Sequence, residues 1–371
     1  MKLVVTVGWA SRVGGGETML LGFLRSVDRS RLSVLVVFFE EGPLVQEVES
    51  CGVRTTVIPG GRLRDPRATV RVVRSLARLL ARERPDLLLN WTPKTHVYGA
   101  LAALLARQGN RVAWWQHTIV PRTRLLDRLA GLLPAHAIVC SSRCTARVQA
   151  SRWPSRPTLV VHPGVDVPEA RGEAGSVLRE RLGIAPAIPV VGLVGRLEPG
   201  KSHERFLDVI GELRRRGLAV HGLVVGGLTP GSPPELAEQL ERGIAARRLE
   251  GVVSCTGQVP DAGPYIESMD VLVSVASVES FGIALVEGMA RRVPVVAVAA
   301  GGPEEIIEPG RSGLLVPTAD PSRIADAVAT VLARPTLRQQ LADGGSERVR
   351  SHFTRERMAR DIERTVEELC A

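Results

Sequence analysis

Cysteine is sparse in this chain: five residues, at positions 51, 140, 144, 255 and 370, odd in number and scattered. That argues against a disulfide framework and for a reducing compartment, so a cytoplasmic location is expected. Cys140 and Cys144 are the only close pair, and no His or Cys stands beside them at metal-ligand spacing, so no metal site is expected. No apolar run approaches the roughly 20 residues needed to span a bilayer. Met1–Ala10 has a thin basic region in Lys2 and a Gly-rich loop where a leader would have its cleavage site, so it reads as a first buried strand. There is no G-x-G-x-x-G, which leaves a nicotinamide or flavin dinucleotide without support. Low-complexity tails and internal repeats are also missing. Lysine is almost absent, with Lys2, Lys94 and Lys201 the only three among 48 basic residues.

What the chain does have is size and an uneven charge. Its 371 residues, 44% of them hydrophobic, suit two domains with separate cores. Residues 1–165 carry 24 Lys+Arg against 10 Asp+Glu, and residues 166–371 carry 24 against 29. The first half is therefore +14 and the second −5, an asymmetry that suggests an anionic partner for the first half. A helix is expected over Ala68–Arg84, with Arg67, Arg71, Arg74, Arg78 and Arg82 on one stripe flanked by Val70, Val73, Ala77 and Leu80. Such a stripe is either a solvated face or a contact for acidic lipid head groups. No nucleic-acid partner is expected.

Short apolar, β-branched runs alternate with helical patterns along the whole chain, the signature of parallel sheets covered by helices. Strands are expected at Leu3–Val7, Ser33–Phe39, Arg54–Ile58, Asp86–Asn90, Val112–His117 and Ala137–Ser141. In the second half they are expected at Val190–Gly195, Val220–Val225, Val253–Gly257, Val271–Ala276, Val293–Val298 and Leu314–Pro317. A nearly all-apolar helix is expected over Val97–Ala106. After the first strand, Gly14-Gly15-Gly16-Glu17 opens a helix with a loop that lets backbone approach a ligand. His117 ends the fifth strand, where a lone histidine reads as structural.

Gly195 to Ser202 matches G-x-x-x-x-G-K-[ST], the phosphate loop of NTPases, after a strand and before a helix. Farther on, Ser277 and Ser280 offer hydroxyls at a helix entrance, and Glu279 and Glu287 bracket the turn. Glu287 is expected about two turns into that helix. Backbone N–H groups of Phe281, Gly282 and Ile283 would point out of the helix start, where phosphate is favoured.

Glu279-Ser-Phe-Gly-Ile-Ala-Leu-Val-Glu287, together with Gly14, Gly15 and Glu17, His117, and the Gly195-Arg196-Leu197…Lys201 segment, resembles glycosyltransferase family 4. The resemblance covers most of the chain. It implies an α/β fold of the GT-B kind, two Rossmann-like domains with parallel sheets facing a cleft. The boundaries expected are 1–165 on the acceptor side, 166–350 for the nucleotide sugar, and 351–371 as a helix packing back on the first domain. Leu159–Asp166 resembles the crossing between domains, with Pro163 where an Asn is common.

The activity implied is transfer of a hexose-type sugar from a nucleoside diphosphate sugar to an acceptor hydroxyl, with retention and without metal or other cofactor. UDP is preferred over GDP as the carrier. No Asp-x-Asp occurs, so the metal-holding motif of the other large transferase fold is missing. The resemblance places Arg196 and Lys201 on the diphosphate, Glu279 on the donor sugar and Glu287 on the ribose. It places His117 beside the sugar, Gly14, Gly15 and Gly16 along the diphosphate and acceptor, and Gln258 and Val259 over the base. Ser280, Phe281, Gly282 and Ile283 complete the donor site. Both readings of Gly195–Ser202 put Lys201 on phosphate, and a sugar-nucleotide epimerase of similar shape is the other alternative. The acceptor stays open, as does a peripheral seat on an anionic membrane.

Overall fold

The computed structural model describes residues 1–11, 14–60, 65–107, 111–119, 125–152, 154–169, 172–229 and 232–371. The chain divides into two compact units, Met1–Gly164 with Arg355–Ala371, and Val165–Thr354.

Among the described residues the first unit holds seven parallel strands. They are β1 (Lys2–Val7), β2 (Ser33–Phe38), β3 (Arg54–Val57), β4 (Leu87–Asn90), β5 (Val112–Gln116), β6 (Ala137–Cys140) and β7 (Thr158–Val160). Their order is β3-β2-β1-β4-β5-β6-β7. Strands β2, β4, β5 and β6 are buried over almost their whole length, as their unbroken apolar runs require.

The second unit has its own parallel sheet, of β8 (Val190–Val194), β9 (His221–Val225), β10 (Val253–Cys255), β11 (Val271–Ser274), β12 (Val295–Val298) and β13 (Leu314–Val316). Here the order is β10-β9-β8-β11-β12-β13. Each sheet therefore has one place where the winding reverses, between β1 and β4 in the first and between β8 and β11 in the second. Loops leaving the carboxyl ends of strands on either side of such a reversal diverge and leave a crevice for ligands.

Helix boundaries follow from caps. The helix Pro66–Glu83 begins at Asp65, whose side chain accepts from the N–H groups of Arg67 (3.0 Å) and Ala68 (3.1 Å). It buries Val72, Leu76, Ala77, Leu79 and Leu80 and leaves the five arginines of its stripe exposed. The apolar helix starts at Pro93, a turn before Val97. Thr92 accepts from the Thr95 N–H at 3.3 Å, and Pro93, which has no N–H to satisfy, takes the first helical position. The last helix, Arg355–Cys370, buries Met358, Ile362 and Val366 among Met19, Leu20 and Phe23, so it completes the core of the first unit.

One polar knot lies inside that unit. Thr6 Oγ1 donates to Asn90 Oδ1 at 2.7 Å across β1 and β4, and Asn90 Nδ2 donates to the Ala113 carbonyl at 3.2 Å. Nδ2 also lies 3.3 Å from His96 Nδ1, which must accept, and burial holds this imidazole neutral with a pKa of about 3. Gly99 lies directly against the Asn90 amide, where a Cβ has no room. Gly99→Ala is therefore expected to displace Asn90 and leave buried polar atoms unpaired, at a cost of about 2–4 kcal/mol. The measurement is urea unfolding followed by circular dichroism. A midpoint equal to that of the wild type would show that the knot yields without cost.

Candidate functional site

In the second unit the two loops that flank the winding reversal meet through charge. Lys201 Nζ lies 2.6 Å from Glu279 Oε2, the lysine following β8 and the glutamate following β11. Their side chains are 27% and 12% exposed, so the pair is shielded but reachable from solvent. Glu279 is pinned by its backbone. Its N–H donates to the Ala300 carbonyl and its carbonyl accepts from Gly302 N–H, both at 2.8 Å. Lys201 lies along Gly195, whose missing side chain makes room for its methylenes. His203, buried and hydrogen-bonded to the Gly195 backbone, is held neutral by burial and by the Lys201 charge, with its pKa lowered to about 4.

Two glycines allow the loops to close in. At Gly226, with φ of 123°, a Cβ would strike the Gly195 carbonyl, and at Gly302 it would strike the Phe281 backbone. Gly227 brings Gln258 into the same neighbourhood: a Cβ there would meet Gln258 N at 2.6 Å, while Leu197 N–H donates to the Gly227 carbonyl at 2.9 Å. Gln258 is exposed and Val259 half-buried. Arg196 is not part of the Lys201 pair; it reaches Glu198 Oε1 at 3.2 Å.

The helix after Glu279 differs from expectation in two respects. It runs Ile283–Ala290, and its cap is Gly282 in the left-handed region (φ 103°) with no side-chain hydrogen bond. The cap position therefore falls two residues beyond Ser280, on a glycine whose left-handed backbone makes the turn. Glu287 consequently sits about one turn into the helix and not two. It is half-buried, and desolvation pushes its carboxyl up to about 7 against the pull of Arg291, with Asp261 adding to the rise. Asp261, in the loop after β10, and Arg291, at the end of the helix, are the groups that sequence reasoning missed. Arg291 stands four residues after Glu287, a helical i,i+4 spacing that could have found it, whereas nothing in the spacing of Asp261 to Glu287 marks it.

The Gly195–Ser202 loop does not form a phosphate cradle of the NTPase kind. Pro199–Lys201 is a 3₁₀ turn whose Lys201 and Ser202 N–H groups are consumed by the Glu198 (3.1 Å) and Pro199 (3.1 Å) carbonyls. Ser202 stands at φ 56°, outside the helix that starts at His203.

In the first unit the glycine loop and His117 come together. Trp91 Nε1 donates to the Gly16 carbonyl at 3.0 Å, and an added Cβ on Gly16 would lie 4.0 Å from His117 Nε2. His117 stacks on Trp115 at 5.6 Å and lies 2.9 Å from the Trp91 carbonyl through Nε2. A carbonyl only accepts, so Nε2 carries the proton and Nδ1 keeps its lone pair. Burial lowers the pKa to about 4, so the ring is neutral at pH 7. Gly14 N–H donates to Glu17 Oε2 at 3.0 Å, so this carboxylate closes the loop and does not project from it. The indoles of Trp91 and Trp115, which position His117, are legible only as buried aromatics in sequence.

Residues 13–169 match the family model Glycosyltransferase Family 4, and residues 188–334 match Glycosyl transferases group 1. The chain belongs to glycosyltransferase family 4. This family 4 chain is 33% identical over 247 residues to a D-inositol 3-phosphate glycosyltransferase of Nocardioides sp., covering 62% of this chain and 53% of that protein. It is 34% identical over 173 residues to an alpha-D-kanosaminyltransferase of Streptomyces kanamyceticus, covering 46% and 42%. The matches thus span about half the length of these curated relatives. Among solved structures, Anabaena HepE in complex with UDP and glucose matches with a TM-score of 0.84 at 24% identity, over 99% of both chains. Sucrose-phosphate synthase from Thermosynechococcus elongatus matches at 0.79 and 20%, over 99% of this chain and 98% of that one. The fold is GT-B, two parallel-sheet α/β domains. Among the described residues no group of three or more His, Cys, Asp or Glu could hold a metal ion, and no helix is long and apolar enough to cross a membrane.

Glu287 gives the site a measurable pH signature. Its folded pKa is raised from 4.5 to about 7, so the folded state holds this proton more tightly than the unfolded chain. The associated stability is complete below 4.5 and lost as pH rises through 7. Glu287→Gln removes that slope. The stability of the Glu287→Gln variant relative to wild type should therefore rise by on the order of 3 kcal/mol between pH 4.5 and pH 8. Parallel urea titrations of the two proteins across this range measure it, and a difference that does not vary with pH would place the Glu287 carboxyl in water.

Proposed function

We propose that this chain moves a hexose-type sugar from a nucleoside diphosphate sugar to an acceptor hydroxyl, with retention of anomeric configuration and without a metal ion. The observation that carries the proposal is the Lys201–Glu279 pair at the winding reversal of the second sheet. It sets a cation suited to a diphosphate beside a carboxylate suited to sugar hydroxyls. Family membership supports the chemistry, and the UDP bound in the solved relative supports a uridine carrier.

In this reading Arg196 and Lys201 neutralise the charge that grows on the departing diphosphate. Glu279, on leaving Lys201, accepts hydrogen bonds from the donor sugar. Glu287 accepts from the ribose hydroxyls, and Gln258 and Val259 lie by the base. Ser280, Phe281, Gly282 and Ile283 line the turn between the two glutamates. Neutral His117 offers Nδ1 to a sugar hydroxyl, and Gly14, Gly15 and Gly16 border the diphosphate and acceptor. The bond from the anomeric carbon to phosphate oxygen breaks while the acceptor oxygen attacks the same face. The hydroxyl proton passes to the departing phosphate oxygen, so no separate protein base is required.

Release of UDP from UDP-glucose tests these roles. Arg196→Ala and Lys201→Ala should each lower kcat by roughly 10²–10³. Glu287→Ala should chiefly raise the donor KM, by roughly tenfold, for the hydrogen bonds lost to the ribose. EDTA and Ser202→Ala should change little. Magnesium-dependent ATP hydrolysis lost in Ser202→Ala would falsify the transferase reading. Interconversion of sugar nucleotides with no acceptor present would point to an epimerase.

The first unit also supports a peripheral seat on an anionic membrane. Arg71, Arg74 and Arg78 are exposed and pair with no carboxylate among the described residues. Leu104, Leu105, Leu129 and Leu132, on the two helices packed in succession beside theirs, are exposed as well. Each basic residue near such a surface contributes about 1 kcal/mol. Sedimentation with anionic vesicles at low salt should carry the wild type down. Changing the three arginines together to Gln should release it, whereas equal binding to neutral vesicles would count against the electrostatic contact.

A further inference from the structure

The winding reversal of the first sheet, between β1 and β4, holds a second pairing of chemistry that the roles above do not use. Trp9 lies two residues beyond the end of β1 and is 36% exposed. Lys94 lies four residues beyond the end of β4, and its ammonium stands 5.5 Å from the centre of the Trp9 ring. The two loops touch at Gly8, where an added Cβ would lie 3.4 Å from Thr95 Cγ2 and 3.7 Å from Thr92 Oγ1.

Each side chain has the other for a cation–π neighbour, yet neither is buried in a core. Lysine is rare in this chain, and the other two are neutralised, Lys2 by Glu83 and Lys201 by Glu279, each at 2.6 Å. Lys94 has no carboxylate partner among the described residues. It is the second residue of the helix Pro93–Leu105, so its charge opposes the aligned peptide dipoles there, a cost of about 0.3–1 kcal/mol. The indole of Trp9 keeps a large apolar surface in water, although Trp91, Trp114 and Trp115 are fully buried. A partner that is both apolar-faced and anionic satisfies both groups at once.

We propose that Trp9 and Lys94 form a subsite for a phosphorylated sugar or polyol, the C–H face of its ring or chain lying on the indole and its phosphate meeting the ammonium. Sites for small polar molecules combine aromatic or apolar lining with a few placed polar or charged groups that fix orientation. The ligand's identification as the acceptor rests on the transferase reading; the site itself does not. It also gives the anionic partner suggested by the +14 charge of the first half a defined place of contact.

Quenching of tryptophan fluorescence by glucose 6-phosphate and by glucose tests the subsite. Wild type should respond to the phosphorylated sugar at a concentration at least tenfold lower. Lys94→Gln should abolish that preference, Lys94→Arg should restore most of it, and Trp9→Phe should remove the signal. The thermal shift produced by UDP-glucose should stay within a degree of wild type in all three variants, which shows that they are folded. A response confined to vesicles of phosphatidylinositol in phosphatidylcholine, and lost in Lys94→Gln, would support the same subsite with a lipid as the source of the phosphate. Equal responses to glucose and glucose 6-phosphate, or an undiminished preference in Lys94→Gln, would overturn the proposal. Absence of any UDP-glucose shift in the wild type, with the Lys94-dependent preference intact, would defeat the transferase reading and leave the subsite standing.

Discussion

An ammonium and a carboxylate at 2.6 Å, largely withdrawn from water, are the constraint on which the second unit depends. Such a pair loses hydration that its mutual attraction only partly restores, so a fold gains little stability from keeping it. What surrounds it shows how much is organised to hold it. Gly195 leaves room for the Lys201 methylenes, and Gly226 and Gly302 remove side chains so that backbone segments can crowd together. Glu279 is tied at both of its backbone atoms, and His203 sits beneath the loop as a neutral ring. A charged ligand that replaces each partner of the pair finds a site whose desolvation has already been met.

Sheet topology explains why the two members, 78 residues apart, are neighbours at all. Strands β8 and β11 are adjacent, and the chain winds away from each in opposite directions, so the loops at their carboxyl ends part and leave room. The first sheet repeats the arrangement with β1 and β4. There the room is bordered by the glycine loop, Trp91 and, farther out, Trp9 and Lys94. One topological rule thus locates polar chemistry in both units.

Much of this was legible in the order of residues because it follows from periodicity and adjacency. The buried strands announce themselves as β-branched runs, and Lys201 and Glu279 fall just after such runs. The helix from Pro93 and the helix from Ile283 were misplaced for a local reason: their starts are set by Thr92 with Pro93 and by a left-handed Gly282, where hydrophobic pattern is silent. Effects that arise from packing of distant segments could not be read at all. The raised carboxyl of Glu287 depends on burial and on Asp261, and the lowered imidazole of His117 depends on a wall of two indoles. Lys94 left a faint compositional trace, since a chain that uses arginine almost everywhere keeps lysine there.

The helix Arg355–Cys370 has a consequence for how the molecule is made. Its apolar face fills the core beneath the helix Gly15–Ser26, yet it is joined to the opposite end of the polypeptide. The second unit lies between, entered at Val165 and left at Thr354, two residues that pair side by side. On a ribosome that delivers the chain in sequence, the first sheet emerges early but waits with Met19, Leu20 and Phe23 uncovered. The inserted unit carries its whole sheet without a gap and can finish first. The unit begun earliest is the one closed last, and during that interval its uncovered apolar face is the aggregation-prone surface of the nascent chain.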